Sequence, residues 1–288
     1  MASRLKAVAP KAAEPSKPKV LIFGKPGVGK TWASLEWPSV FYVDTEGGAD
    51  LAHYTDKLAR AGGVYFGPDQ GSLSFDGITE QVQALATERH DFRTLVLDSI
   101  SHVWNMEIAQ EQARLGDKDA YGASKKPAVA KLRQLLMWVN KLDMNVILIA
   151  HEKDLWGKDG KEGVTFDCDP KLEYLLHLCL NIQKIGPKRL ARIGKSRLPA
   201  FPEGEVFDWN FTTFAERYGR DVIEKEAKPI VLASAEQIAE VKRLLETVKL
   251  PDGTVEKWMA AADAASWEEF ETDKINKCIS ALRAKIAA

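Results

Sequence analysis

Polar and apolar positions fall into two regimes along this chain. Up to about residue 228, short apolar runs alternate with helical periodicity; beyond it only helical stripes remain. Four runs predict buried strands: "KVLIF" (Lys19–Phe23), "VFYVD" (Val40–Asp44), "TLVLD" (Thr94–Asp98) and "NVILIA" (Asn145–Ala150). Near-continuous runs of this kind, separated by helical stretches, predict a mostly parallel sheet with helices on both faces. After the first run a short helix, "TWASLEW", must stop before Pro38. Val129, Leu132, Leu135, Leu136 and Val139 recur at helical spacing and predict the crossover into the fourth strand. "LHLCLNIQKIGPKRLARIGKSR" alternates and turns at Gly186-Pro187, which predicts a hairpin at the edge of the sheet.

In the last sixty or so residues, "SAEQ" (Ser234–Gln237) and "SWEE" (Ser266–Glu269) are capping-box signatures. Ile238, Val241, Leu245 and Val248 form one helical stripe; Ile275, Cys278, Ile279, Leu282 and Ile286 form another. The expected organisation is a flexible Ala/Pro/Lys-rich tail (1–18), an α/β core (19–228) and a small C-terminal helical domain (229–288).

Composition narrows the classes. The chain has 288 residues and a net charge of −1, so it is not a basic nucleic-acid binder as a whole. Charge is local instead: Lys184 to Arg197 holds six Lys or Arg and no acid. No apolar run approaches the roughly 20 residues of a membrane span, and the first residues lack the apolar centre of a secretory signal. Cys168, Cys179 and Cys278 are an odd set without C-x-x-C spacing. They argue against a zinc site or disulfide framework and for a reducing, cytoplasmic location.

The chemistry starts at "GKPGVGKT" (Gly24, Lys25, Pro26, Gly27, Val28, Gly29, Lys30, Thr31), a gapless G-x-x-x-x-G-K-[ST]. The pattern arises by chance about once per hundred chains of this length. Here it also has its required context, a strand before and a helix after. The glycines let backbone N–H groups turn inward around phosphate. Lys30 is expected to reach the β- and γ-phosphates of ATP, and the Thr31 hydroxyl to bind Mg²⁺. Asp98 closes an apolar strand in the Walker B manner and is the second expected metal residue. Many ATPases place a catalytic Glu directly after that Asp; here Ser99 follows. Glu46, in "FYVDTEGGAD", then becomes the expected base. The P-loop, Glu46, Asp98 and His151 all fall at carboxyl ends of predicted strands, where open α/β sheets bind ligands.

"GKPGVGKT…FYVDTEGGAD…TLVLDSIS…VILIAHEKD" resembles the RecA-like recombinase core, and looks especially like the short phage RecA-like ATPases that act in single-strand annealing. The resemblance covers roughly residues 19–200. It implies an α/β P-loop NTPase of RecA type and a catalytic role for Glu46. It implies a γ-phosphate sensor at His151. For "GKSR", Lys195 and Arg197 would be presented to a neighbouring subunit's γ-phosphate in a homo-oligomeric ring or filament. Two loops of the family bind single-stranded DNA. Here they would fall at Leu115–Ala128, with Tyr121, Lys125 and Lys126, and at His151–Asp167, with Lys153, Trp156, Lys158 and Lys161. Lysines neutralise phosphate and a Trp stacks on any base. The helical tail could meet DNA, a single-strand-binding protein or another subunit. The competing readings are a helicase-like or packaging motor, and an ATP-switched adaptor without useful turnover.

Overall fold

The computed structural model describes residues 15–48, 51–119, 122–158 and 160–286. The expected flexible tail lies outside them as far as residue 14, and so does Tyr121.

The chain opens with β1 (Lys19–Gly24), α1 (Lys30–Ser34), β2 (Val40–Asp44), α2 (Ala52–Arg60), β3 (Val64–Phe66) and α3 (Phe75–Thr87). It continues through β4 (Thr94–Asp98), α4 (Ile100–Leu115), α5 (Lys125–Lys141), β5 (Asn145–Gly157), β6 (Gly160–Phe166) and α6 (Leu172–Leu175). Then come β7 (Leu178–Ile185), β8 (Lys188–Ser196), β9 (Val206–Asp208), α7 (Phe211–Tyr218) and α8 (Arg220–Glu224). The C-terminal helices are α9 (Ala235–Thr247), α10 (Thr254–Ala262) and α11 (Thr272–Ile286).

Among the described residues the sheet has nine strands, in the order β3-β2-β4-β5-β1-β7-β8-β9, with β6 pairing the far part of β5. From β3 to β7 every pairing is parallel; β8 and β9 close the edge antiparallel. This is the α/β architecture of a RecA-type P-loop NTPase, with helices on both faces and helices at the C-terminus. The period of two explains the layers. Leu21 and Phe23 of β1, Leu95 and Leu97 of β4, and Val146 and Leu148 of β5 face α3, α4 and α5. Val20, Ile22, Val96, Ile147 and Ile149 face α1, α2, α7 and α8. Because both faces are covered, these strands are apolar at nearly every position.

Several sequence expectations change. The fourth strand does not stop at Ala150 but runs to Gly157 and returns as β6. The expected loop His151–Asp167 is therefore mostly a hairpin, and the expected loop Leu115–Ala128 ends in the first turn of α5. "SWEE" forms only a short 3₁₀ turn, and α11 begins later, at Thr272. Ser234, by contrast, caps α9 through a reciprocal box with Gln237. Val241, Leu244, Phe270, Ile275, Ile279 and Leu282 form a separate apolar cluster, while Ile286 is 52% exposed and lies off it. Trp104 and Trp138 are buried.

Candidate nucleotide and catalytic site

The order of strands brings the polar strand ends together. β5 sits between β1 and β4, so His151 at its rim stands between the P-loop and Asp98. A cleft of about 500 Å³ opens there, lined by Gly24, Lys30, Thr31, Glu46, Asp98 and His151 among others.

The P-loop glycines are needed where they stand. Gly27 and Gly29 have φ of 76° and 90°, which disfavours any side chain. Gly24 is placed by contact: a Cβ on it would come to 2.3 Å from the Ile182 carbonyl oxygen. Lys30 Nζ donates to the carbonyls of Gly24 (2.7 Å) and Lys25 (3.0 Å), which holds the ammonium over the loop. Burial lowers its pKa, and Asp98, Glu46 and Glu152 oppose that shift.

Asp98 accepts hydrogen bonds from the Thr31 hydroxyl (2.5 Å) and the Tyr42 phenol (3.0 Å). Its pKa is raised, first by burial, against both hydrogen bonds, with Glu46 and Asp44 adding to the rise. Burial, Asp98 and Asp44 keep Tyr42 protonated, so it stays a donor to Asp98. A partly buried carboxylate beside a hydroxyl is a hard-oxygen pair suited to Mg²⁺. Among the described residues no three His, Cys, Asp or Glu cluster to cage a metal. Mg²⁺ needs no such cage when substrate phosphates supply the remaining oxygens.

Local bonding explains where "DTEGG" puts its acids. Asp44 is buried and its Oδ1 accepts the backbone N–H groups of Glu46 (3.1 Å), Gly47 (2.9 Å) and Gly48 (3.3 Å). It closes the turn. Thr45 ties the end of β2 to that of β4: its hydroxyl donates to Ser99 O (3.1 Å) and accepts from Ser99 N (2.8 Å). Glu46 is thereby set over Ser99, whose hydroxyl donates to Glu46 Oε1. His151 Nε2 lies 2.8 Å from the same Glu46 oxygen and 3.4 Å from Ser99 Oγ.

Sequence reasoning used Ser99 as the absence of a Glu and as part of the resemblance, and gave it no contact. It is a contact of Glu46, and its Oγ also accepts His102 N–H as the cap of α4. Glu152 went unremarked as well: it lines the cleft and accepts from Asn181 (3.1 Å), which in turn accepts from Gln183 (2.8 Å). The only sequence signal for Glu152 was its place after His151.

Lys195 and Arg197 are not in this cleft. Gly194 is a bulge residue, since Ile193 pairs with Leu180 and Lys195 with Cys179. The bulge turns Lys195 to the face opposite Ile193. Lys195 then donates to Leu176 O, and Arg197 to Tyr174 O. Both reach one segment, between β6 and β7.

Among the DNA candidates, Lys125 and Lys126 are exposed at the start of α5. Lys153 and Lys161 are paired with Asp167 (3.1 Å) and Asp154 (2.7 Å). Lys158 is exposed at the hairpin turn, and Trp156 is 68% exposed beside Leu155 and Val164, which are also exposed.

A P-loop on β1, Asp98 two strands away and a converging polar rim define an ATP-hydrolysing P-loop NTPase of RecA-like architecture. A sequence profile described as AAA domain matches residues 16–186, and the chain belongs to that AAA domain family. No curated protein sequence matches. The RadB recombinase structure is similar over 66% of this chain and 86% of its own, with 19% identity and a TM-score of 0.44. An ATPase from the type III secretion system of pathogenic bacteria is similar over 94% and 81%, with 13% identity and a TM-score of 0.40. Likeness at this level says nothing of what the chain acts on. Among the described residues no helix is long and apolar enough to cross a membrane.

Proposed function

We propose that this protein is a Mg²⁺-dependent ATPase that binds single-stranded DNA and promotes homologous recombination by strand annealing, in the manner of the phage RecA-like ATPases its motifs resemble. The observation that carries the reading is the junction at His151. The residue that meets Glu46 in the cleft is followed directly, along β5, by the exposed hairpin that carries Trp156. A change felt at His151 has one covalent path outward, along β5.

In this reading the P-loop amides and Lys30 bind the phosphates. Thr31 and Asp98 would hold Mg²⁺, which would offset phosphate charge when bound. Glu46 orients water and takes its proton, its carboxylate aimed by Ser99 and His151. Lys195 and Arg197 complete a neighbouring subunit's site. Residues 19–228 serve as the ATPase core, and 229–288 as a helical domain that contacts a partner. Turnover measured with and without single-stranded DNA tests this. Strong stimulation without strand separation is expected. Turnover coupled to unwinding would mean a motor, and negligible turnover under both conditions would mean a switch.

A further inference from the structure

Far from the nucleotide cleft in sequence, a cavity of about 320 Å³ opens between α10 and α11. Its lining is mostly apolar. Trp258, Ala261 and Ala262 come from α10, Cys278 from α11, and Phe270 from the turn between them. Phe270 and Cys278 are buried, and burial raises the Cys278 thiol pKa, so the floor carries no charge. Trp258 is half-buried and held edge to face against Trp267, with ring centres 6.5 Å apart. The two alanines leave the space that these rings border.

The charged groups lining the cavity are Lys274 and Lys277. Lys274 is partly committed, to Glu271 (2.7 Å) and to Ala262 O (3.4 Å). Lys277 is exposed and has no ion-pair partner among the described residues. Ala281 and Lys285, both exposed, continue its face of α11 at four-residue steps. α11 holds one acid, Asp273, a turn before Lys277. This basic face is local: residues 229–288 carry ten Asp or Glu against eight Lys or Arg.

We infer that this cavity takes a large apolar side chain from a short acidic segment of a partner protein, with Lys277 and Lys285 meeting the segment's carboxylates. The proposal rests on the reading of 229–288 as the part that contacts a partner, and it names that partner's chemistry. An apolar anchor in a pocket with charge at its rim is the arrangement that concentrates binding energy in few residues. The chain's own first residues do not suit it: 1–14 hold Arg4, Lys6 and Lys11 against Glu14 alone, and so carry the wrong sign. A long polyanion such as single-stranded DNA would have to run past the acids of this region, whereas a short segment needs only the α11 face.

The test is fluorescence anisotropy with the full chain and pooled synthetic peptides, short and rich in Asp, each carrying one Trp, Phe, Leu or Ile. The pool should bind with a Kd of about 100 μM or tighter. Replacing every Asp by Lys, or the apolar residue by Gly, should each weaken binding at least about tenfold. Lys277→Glu and Ala261→Trp should do the same, the first by reversing charge and the second by filling the cavity. Both positions are exposed, so thermal melts and ATP turnover should match the unmodified chain. An acidic pool that does not bind overturns the proposal. Binding that survives both variants puts the peptide elsewhere, and overturns the proposal while 229–288 keeps a partner. Single-stranded DNA that displaces the peptide, and that Lys277→Glu no longer binds on this face, would make it a nucleic-acid site and overturn the proposal too. Turnover that falls in Lys277→Glu would mean that these helices serve the ATPase core; the partner reading would then fall first and this inference with it.

Discussion

The two ends of the parallel sheet carry opposite chemistry. At the carboxyl ends of the strands stand Asp44, Glu46, Asp98 and Glu152 around Lys30. At the amino ends stand Lys17, Lys19, His177, Lys195 and Arg197. Lys19 is buried there, with Nζ donating to Leu142 O (2.6 Å) and Met144 O (2.7 Å). Burial pushes its pKa down to about 7 against the pull of Asp143. His177, which accepts the Lys19 N–H, is pushed down to about 4 by burial and then by Lys19, Arg197 and Lys195. The four cations at the amino end donate to their own chain's carbonyls and His177 accepts a backbone N–H, whereas the rim's acids line open volume. Lys195 and Arg197 belong to the packed end. The length of β1, roughly 16 Å, separates them from their own P-loop. Action within one chain is therefore geometrically closed to them, and any catalytic role must be played on a neighbour.

The contrast can be broken at several points. Glu46→Gln should lower turnover by about 10²–10⁴-fold while ATP still binds; unchanged turnover in a steady-state assay would take Glu46 out of the chemistry. Next in size, Trp156→Ala should weaken single-stranded DNA binding by about 1–3 kcal/mol, measured by fluorescence titration. That variant asks whether the rim extends outward along the hairpin. Ser99→Ala should lower kcat about tenfold and leave KM in place, since Ser99 positions Glu46 without touching substrate. Its lost cap on α4 costs about 1 kcal/mol of stability, which alone would not split kcat from KM, and Ser99→Thr should restore kcat.

A stability effect belongs to the packed end. Because the folded pKa of His177 lies near 4 and the usual value near 6.5, the unfolded chain binds more protons between these values. Stability should fall as pH drops from 6.5 towards 4. His177→Gln should flatten that part of the pH–stability curve in denaturant melts. An unchanged slope would mean that His177 takes up its proton in the folded state.

Much of this was legible because strands buried on both faces are written as apolar runs. β2 and β4 coincide with their runs, and β1 exceeds its run by one residue. The far half of β5 was hidden because among the described residues it pairs only with β6 and its side chains are mostly exposed; polar residues there read as a loop. Ser266 looked like a cap from spacing alone, but the chain stays extended at Phe270 before α11 starts. In the site, the phosphate motif and strand-end acids show in sequence because their spacing is fixed by the fold. Ser99 does not: it is defined by Thr45 and Glu46 on another strand.

The central claim, that each catalytic rim is completed by the packed end of a neighbour, is tested most directly by mixing two inactive variants. Glu46→Gln subunits keep Lys195 and Arg197 but have a dead rim; Arg197→Ala subunits have the reverse. Co-assembled in equal amounts, they should recover about a quarter of the unmodified turnover, since one head-to-tail interface in four pairs an intact rim with an intact Arg197. Turnover no higher than that of either variant alone would contradict it.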